Sequence, residues 1–198
     1  MTGSLPGTAR LTLVSHARTA AVRSARFPAD EGLADGEARR VSGAAAGLHA
    51  ADRALCDASL RTRQTADALG LVATPDPALR DLDVGGWQGR ALVEVPRTDL
   101  EAWVRDPAVA PHGGESVIDL IARVGDWLTC GASAPGRTIA VTHPAVIRAA
   151  LVTVLRSPPE VFWRIDVPPL SATRLHGRDG VWTLRHACLP LSGGGRSL

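Results

Sequence analysis

The sequence predicts a three-layer α/β/α sandwich built on a mostly parallel central sheet. Three observations carry that reading. Short apolar runs of strand length alternate with longer helical stripes, two of those runs end in a histidine, and no internal repeat or long linker interrupts them. At 198 residues the chain is long enough for one domain with its own core. Its bounds are expected at residues 8–190, with flexible tails at 1–7 and 191–198.

Leu11, Leu13 and Val14 read as a buried strand that ends at Ser15-His16, where small and polar residues begin a loop. Gly36 to His49 carries Ala and Leu at helical spacing, and Arg53 to Cys56 is a second short strand before Asp57. Leu60 to Leu69 turns Ala66 and Leu69 inward and stops at Gly70, a helix terminator. Pro75 to Arg90 reads as loop, with Gly85, Gly86 and Gly89 around Trp87. Leu100 to Val104 is helical up to Asp106-Pro107, since the residue before a proline disfavours helix. Ser116 to Leu128 aligns Val117, Leu120, Ile121, Val124 and Leu128 on one stripe. Thr138 to Val141 is a strand ending at Thr142-His143, so His143 repeats the placement of His16. Ala145 to Leu155 is an apolar helix, and Ala172 to Leu175 with Val181 to Leu184 flank Gly177-Arg178-Asp179-Gly180 as a hairpin.

Apolar residues make up 45% of the chain and charged residues 21%, the balance of a soluble globule and not of a disordered segment. A formal charge of +2 with no basic run argues against nucleic acid as a partner. Every basic residue is Arg, which codon bias explains; any cationic contact to a phosphate must then come from a guanidinium. Cys56, Cys130 and Cys188 form no C-x-x-C pair and no metal-like spacing, as expected of reduced thiols. Met1 to Arg10 lacks the apolar core of a signal peptide, and no stretch approaches the ~20 apolar residues of a membrane span. The expected location is therefore the cytoplasm, without membrane attachment. Oligomeric state is not legible.

In open α/β sheets, ligands collect beyond the carboxyl ends of the strands, which makes His16 and His143 candidate site residues. Either one alone reads equally as a core or surface histidine. The neighbouring segments change the balance. Leu13-Val14-Ser15-His16-Ala17-Arg18-Thr19 resembles the L-V-R-H-G-E-T signature of the histidine phosphatase (phosphoglycerate mutase-like) superfamily. Arg61-Thr62-Arg63-Gln64-Thr65-Ala66 resembles its R-A-x-Q-T-A helix start, and the run from Leu79 to Gly89 resembles L-R-E-x-D-F-G-x-W-E-G. Gly113-Gly114-Glu115-Ser116 matches G-G-E-S, and Val141 to Arg148 resembles V-x-H-G-x-x-I-R. The five motifs keep the family's order.

The resemblance implies a phosphoglycerate mutase-like sandwich that hydrolyses a small phosphorylated metabolite without metal or organic cofactor. It assigns His16 as the nucleophile that becomes phosphorylated, Arg61 and His143 as donors to the phosphoryl oxygens, and Asp81 as the acid. It assigns the substrate-binding edge to Ser15, Arg18, Thr19 and Arg26. Mutase activity fits less well, because the family's mutases carry longer insertions around the site.

Four positions depart from the pattern: Ser15 replaces the arginine before the nucleophile, Ala17 replaces Gly, Arg18 replaces Glu, and Pro144 replaces Gly. Losing one preorganised donor costs roughly 3–4 kcal/mol of transition-state stabilisation, so an active enzyme needs a substitute cation, with Arg18 and Arg26 as candidates. Asp81 is also one methylene shorter than the usual Glu. Two alternatives follow: the same fold turned to other acid/base chemistry by His16, His143 and Asp81, or a catalytically silent binding protein. His49, His112, His176 and His186 show no ligand-like grouping; His112, beside Gly113, reads as a surface residue, with the rim of the pocket as the alternative. Trp87 is the tryptophan expected near the site.

Overall fold

The protein is described by a computed structural model covering residues 7–191. One six-stranded sheet runs through these residues: β1 (Ala9–Ser15), β2 (Arg53–Cys56), β3 (Thr74–Pro75), β4 (Gly136–Thr142), β5 (Ser171–Arg178) and β6 (Val181–Pro190). Their order across the sheet is β3-β2-β4-β1-β5-β6. The β1–β4, β2–β4 and β2–β3 pairs are parallel, while β5 runs antiparallel to both β1 and β6. The mostly parallel α/β sheet expected from the sequence is the one observed.

Alternation along β1 divides its side chains between two cores. Leu11 and Leu13 join Ala140 and Leu175 beneath α5 (Val117–Cys130) and α6 (Pro144–Val154), whose Leu120, Val124, Ile147 and Leu151 complete one core. Val14, with Ile139 and Val141 of β4, packs on the opposite face against Val41 and Ala44 of α2 (Glu37–Ala44) and Ala66 of α3 (Leu60–Ala68). Two further helices, α1 (Ala20–Arg23) and α4 (Arg97–Arg105), lie in the connections. Among the described residues no helix is long and apolar enough to cross a membrane.

Three local expectations need correction. The segment read as loop from Pro75 begins with a two-residue edge strand, too short for periodicity to register and tolerant of proline because it lies at the sheet's edge. The four-residue α1 and the helical turn Pro159–Arg164 were not anticipated. The C-terminal tail is expected from 191, yet Leu191 is buried and donates its N–H to the Leu170 carbonyl, because its side chain belongs to the core formed with Val14, Leu170 and Ala172. Of the expected N-terminal tail only Gly7 is described, and it is exposed; 1–6 and 192–198 lie outside the described residues. The hairpin is as expected, with Asp179 and Gly180 both at positive φ, the backbone a two-residue type I′ turn requires.

Candidate active site

β1 and β4 are parallel neighbours, so their carboxyl ends deliver His16 and His143 side by side, with ring centroids 5.3 Å apart. The His16 N–H is tied to the Thr142 carbonyl at 2.9 Å. Its Nδ1 lies 2.8 Å from the Ala17 carbonyl, which fixes the tautomer: Nδ1 carries the proton and Nε2 keeps its lone pair. Burial, then the positive charges of His143 and Arg61, lower the His16 pKa to about 3. The ring is therefore neutral at neutral pH.

His143 caps α6. Its Nε2 is 2.8 Å from Asp57 Oδ2 and its Nδ1 is 3.2 Å from Asp81 Oδ2. Burial disfavours a charged ring, but the two carboxylates outweigh it and raise the His143 pKa above the ordinary value. A doubly protonated ring donates to both. The Arg61 Nε then approaches Nδ1 at 3.3 Å without a lone pair to receive its proton; the closeness reflects the Asp81 carboxylate they share. Arg61 is buried, places Nη1 on the Ala29 carbonyl at 2.7 Å and Nη2 on Asp81 at 2.9 Å.

Asp81 was expected as a protonated acid. In the structure, although burial opposes it, His143 and Arg61 hold its carboxyl far below the usual carboxylate range. It is an ionised partner of the two groups expected to hold a phosphoryl group. The loop carrying it is fixed from below. Glu115 binds Arg123, and Arg123 reaches the Ala78 and Arg80 carbonyls at 2.8 and 3.2 Å. Gly114 packs flat under this loop, where a Cβ would lie 2.2 Å from the Asp83 carbonyl oxygen.

The other candidates divide. Ser15 is fully buried, lines the cavity in front of His16, and its Oγ has no hydrogen-bond partner within the described residues. Thr19 is buried beside the cavity and caps α1 through Val22 N–H. Arg26 stands at the rim with its fork spent on the Gly89 carbonyl, at 3.0 and 2.7 Å. Arg18 is exposed and does not line this cavity. Two departures prove benign in context. Pro144 sits at the first position of α6, where a missing N–H costs nothing. Ala17 is buried without positive φ, its N–H on Thr65 Oγ1 at 3.1 Å.

The cavity has a volume of about 510 Å³ and is walled by Phe27, Trp103, Trp163 and Val167. Trp87 was expected there; it stacks instead behind Phe27, 5.2 Å between centroids. His112, read as a surface residue, is buried in the same aromatic cluster, 5.0 Å from Trp87. No group of three or more His, Cys, Asp or Glu among the described residues is arranged to hold a metal ion.

Residues 11–189 match the histidine phosphatase superfamily (branch 1). The chain belongs to that superfamily. Glucosyl-3-phosphoglycerate phosphatase of Mycobacterium tuberculosis is 35% identical over 103 residues, covering 45% of this chain and 46% of that protein. The matched part thus spans less than half the length of that relative. A structure of a mycobacterial glucosyl-3-phosphoglycerate phosphatase in complex with VO3 superposes with a TM-score of 0.76 at 26% identity, covering 91% of this chain and 99% of that one. A phosphoserine phosphatase mutant from Entamoeba histolytica, 16% identical, shares the fold with a TM-score of 0.80 over 89% of this chain and 95% of that one.

Within this superfamily member, two site residues escaped the sequence. Asp57 follows β2 directly, and only the β2–β4 pairing brings it to His143. Burial would raise its pKa, but the His143 hydrogen bond and charge win and lower it to about 2. Arg148 lines the cavity from α6; its Nε donates to the Ile165 carbonyl at 2.7 Å and its guanidinium lies against Trp163, 5.7 Å from the ring centroid. Its place at the end of the run that resembles V-x-H-G-x-x-I-R is the available signal.

The buried histidine also predicts a pH dependence. Folded His16 titrates at about 3 against 6.5 for the free side chain. Between those values the unfolded chain binds a proton that the folded chain refuses, so stability falls as pH falls. His16→Asn is expected to flatten the urea-midpoint profile of the wild type between pH 6.5 and 4 by close to one proton, about 1.4 kcal/mol per pH unit. Parallel profiles for the two proteins would mean that His16 is not held neutral by the fold.

Proposed function

We propose that this chain hydrolyses phosphate monoesters of small metabolites through a phosphohistidine on His16. The observation that carries the reading is the pairing of a neutral His16, its Nε2 lone pair free, with the cationic Arg61 and His143 alongside. An imidazole so held attacks phosphorus while the cations take the charge on the phosphoryl oxygens. The phosphorus–ester oxygen bond breaks, the leaving oxygen takes a proton, and water then cleaves the phosphorus–nitrogen bond to release phosphate.

Asp81 gives the cycle its switch. Without substrate it occupies the donors of Arg61 and His143. A phosphoryl group competes for those donors. Once displaced, Asp81 faces a phosphoryl group's negative charge, its pKa rises, and a protonated carboxyl becomes available to the leaving oxygen. Asp57 acts through His143, keeping the ring charged and oriented.

The test is rapid acid-free quenching of the wild type with a panel of phosphate esters. The relatives' names put glucosyl-3-phosphoglycerate and phosphoserine first, beside p-nitrophenyl phosphate. A phosphoenzyme that survives alkali and decays in acid is expected; turnover without one, or no turnover on any ester, overturns the reading. Asp81→Asn separates the acid from the rest. It is expected to lower kcat on alkyl phosphates by roughly 10²–10⁴-fold, to cost much less on p-nitrophenyl phosphate, whose leaving group needs no proton, and to tighten inhibition by phosphate. Equal losses on both ester types would remove Asp81 from the acid role.

A further inference from the structure

A second cavity, of about 350 Å³, lies at the opposite end of β1, and four arginines line it: Arg10, Arg137, Arg174 and Arg185. Three histidines join them, His49, His176 and His186, which the sequence scatters as unrelated surface residues. No carboxylate is among its lining residues. The concentration is not a consequence of overall charge, since the chain's formal net charge is only +2.

Sheet register builds the cluster. Arg10 of β1 stands opposite Arg137 of β4 on one side and His176 of β5 on the other, so three basic side chains share a row. One row along, Thr12 stands opposite Arg174, which is itself paired with His186 of β6. Adjacent strands lie only ~4.8 Å apart, and like charges directly opposite destabilise a sheet. Among the described residues none of the four arginines is in an ion pair, and their one side-chain hydrogen bond is from Arg174 to the Gly47 carbonyl at 3.2 Å. Asp52, which does not line the cavity, accepts the Arg137 backbone N–H through Oδ2 at 2.7 Å. Burial and then the charges of Arg185, Arg10 and His186 lower the His176 pKa, as a strongly positive site requires. Further along this face α2 covers the sheet with Val41 and Ala44; the helix ends there and leaves the basic rows open.

We propose that this cavity is a binding site for a small polyanion carrying two or more phosphate groups, separate from the His16 site. Several guanidinium forks converging on one concavity suit bidentate contact with phosphate oxygens. The volume is that of a small-ligand pocket and too confined for a polynucleotide track. Arg10 and His16 are six residue steps apart along β1 and the residue after it, about 20 Å at strand rise, so one ligand phosphate does not span both sites.

The test is calorimetric titration of the full chain with inorganic tripolyphosphate at fixed ionic strength. Saturable binding is expected, weakened at least tenfold in Arg10→Gln/Arg174→Gln and retained in Arg61→Ala, which alters only the His16 site. Arg137→Gln, an exposed single change, serves as a second variant, and thermal melts check that each is folded. Unchanged binding in the cavity variants, loss of binding in Arg61→Ala, or no saturable binding to the wild type overturns the proposal. So does tighter binding of a single-stranded oligonucleotide with a salt dependence spanning many phosphates, which would make the patch a nucleic-acid surface. The outcome is independent of whether His16 is phosphorylated.

Discussion

His16→Ala is expected to remove turnover of every phosphate ester the wild type accepts, by on the order of 10⁴-fold or more, as deletion of an attacking group does. The physical reason is specific to the nucleophile. Arg61 remains held by the Ala29 carbonyl and Asp81, and His143 by Asp57 and Asp81. The anion-binding half of the site therefore survives, and phosphate should still inhibit or bind the variant, measured calorimetrically, while phosphoenzyme disappears from quenched samples. Loss of phosphate affinity together with turnover would point to collapse of the cluster. Turnover equal to the wild type would place the chemistry elsewhere and remove His16 from the mechanism. The variant is not expected to unfold, because it deletes a ring whose Nδ1 bonds only to the adjacent Ala17 carbonyl.

The sequence displayed the strands and helices whose pattern has a period, and the two histidines that end β1 and β4. It also displayed Arg61 and Asp81, because their motifs lie on a helix start and a loop with recognisable neighbours. What it hid was set by pairing between distant segments. Asp57 looks like any carboxylate after a strand until β2 is placed beside β4. Arg148 looks like a surface arginine until α6 starts at Pro144, just after His143, and the turn Pro159–Arg164 supplies Trp163 as its platform. His49, His176 and His186 come from a loop and two strands, and only the antiparallel register of β5 and β6 makes neighbours of the latter two. Asp81 was legible in position but not in charge state, since its ionisation depends on a buried His143 and Arg61 that lie 62 and 20 residues away in the chain.

Ser15→Arg is expected to raise hydrolysis of simple phosphate esters by up to ~10²–10³-fold, the scale of one restored electrostatic donor. Room exists: Ser15 lines the cavity of about 510 Å³, and its buried hydroxyl has no partner to lose. Negative charge to receive the guanidinium also exists, in the Asp81 carboxylate that lines the same cavity. The gain should appear in kcat/KM, with tighter inhibition by phosphate and vanadate. Two other outcomes separate the remaining readings. A fold turned to acid/base chemistry by His16, His143 and Asp81 would lose its native reaction to the bulky cation and gain no efficient phosphatase activity. A wild type already working at ordinary rates and indifferent to Ser15→Arg would mean that another arginine supplies the charge. Arg26 and Arg148 both line the cavity, so these are the two to replace: whichever of Arg26→Ala and Arg148→Ala removes the working cation should then cost what Ser15→Arg fails to add, measured on the same esters.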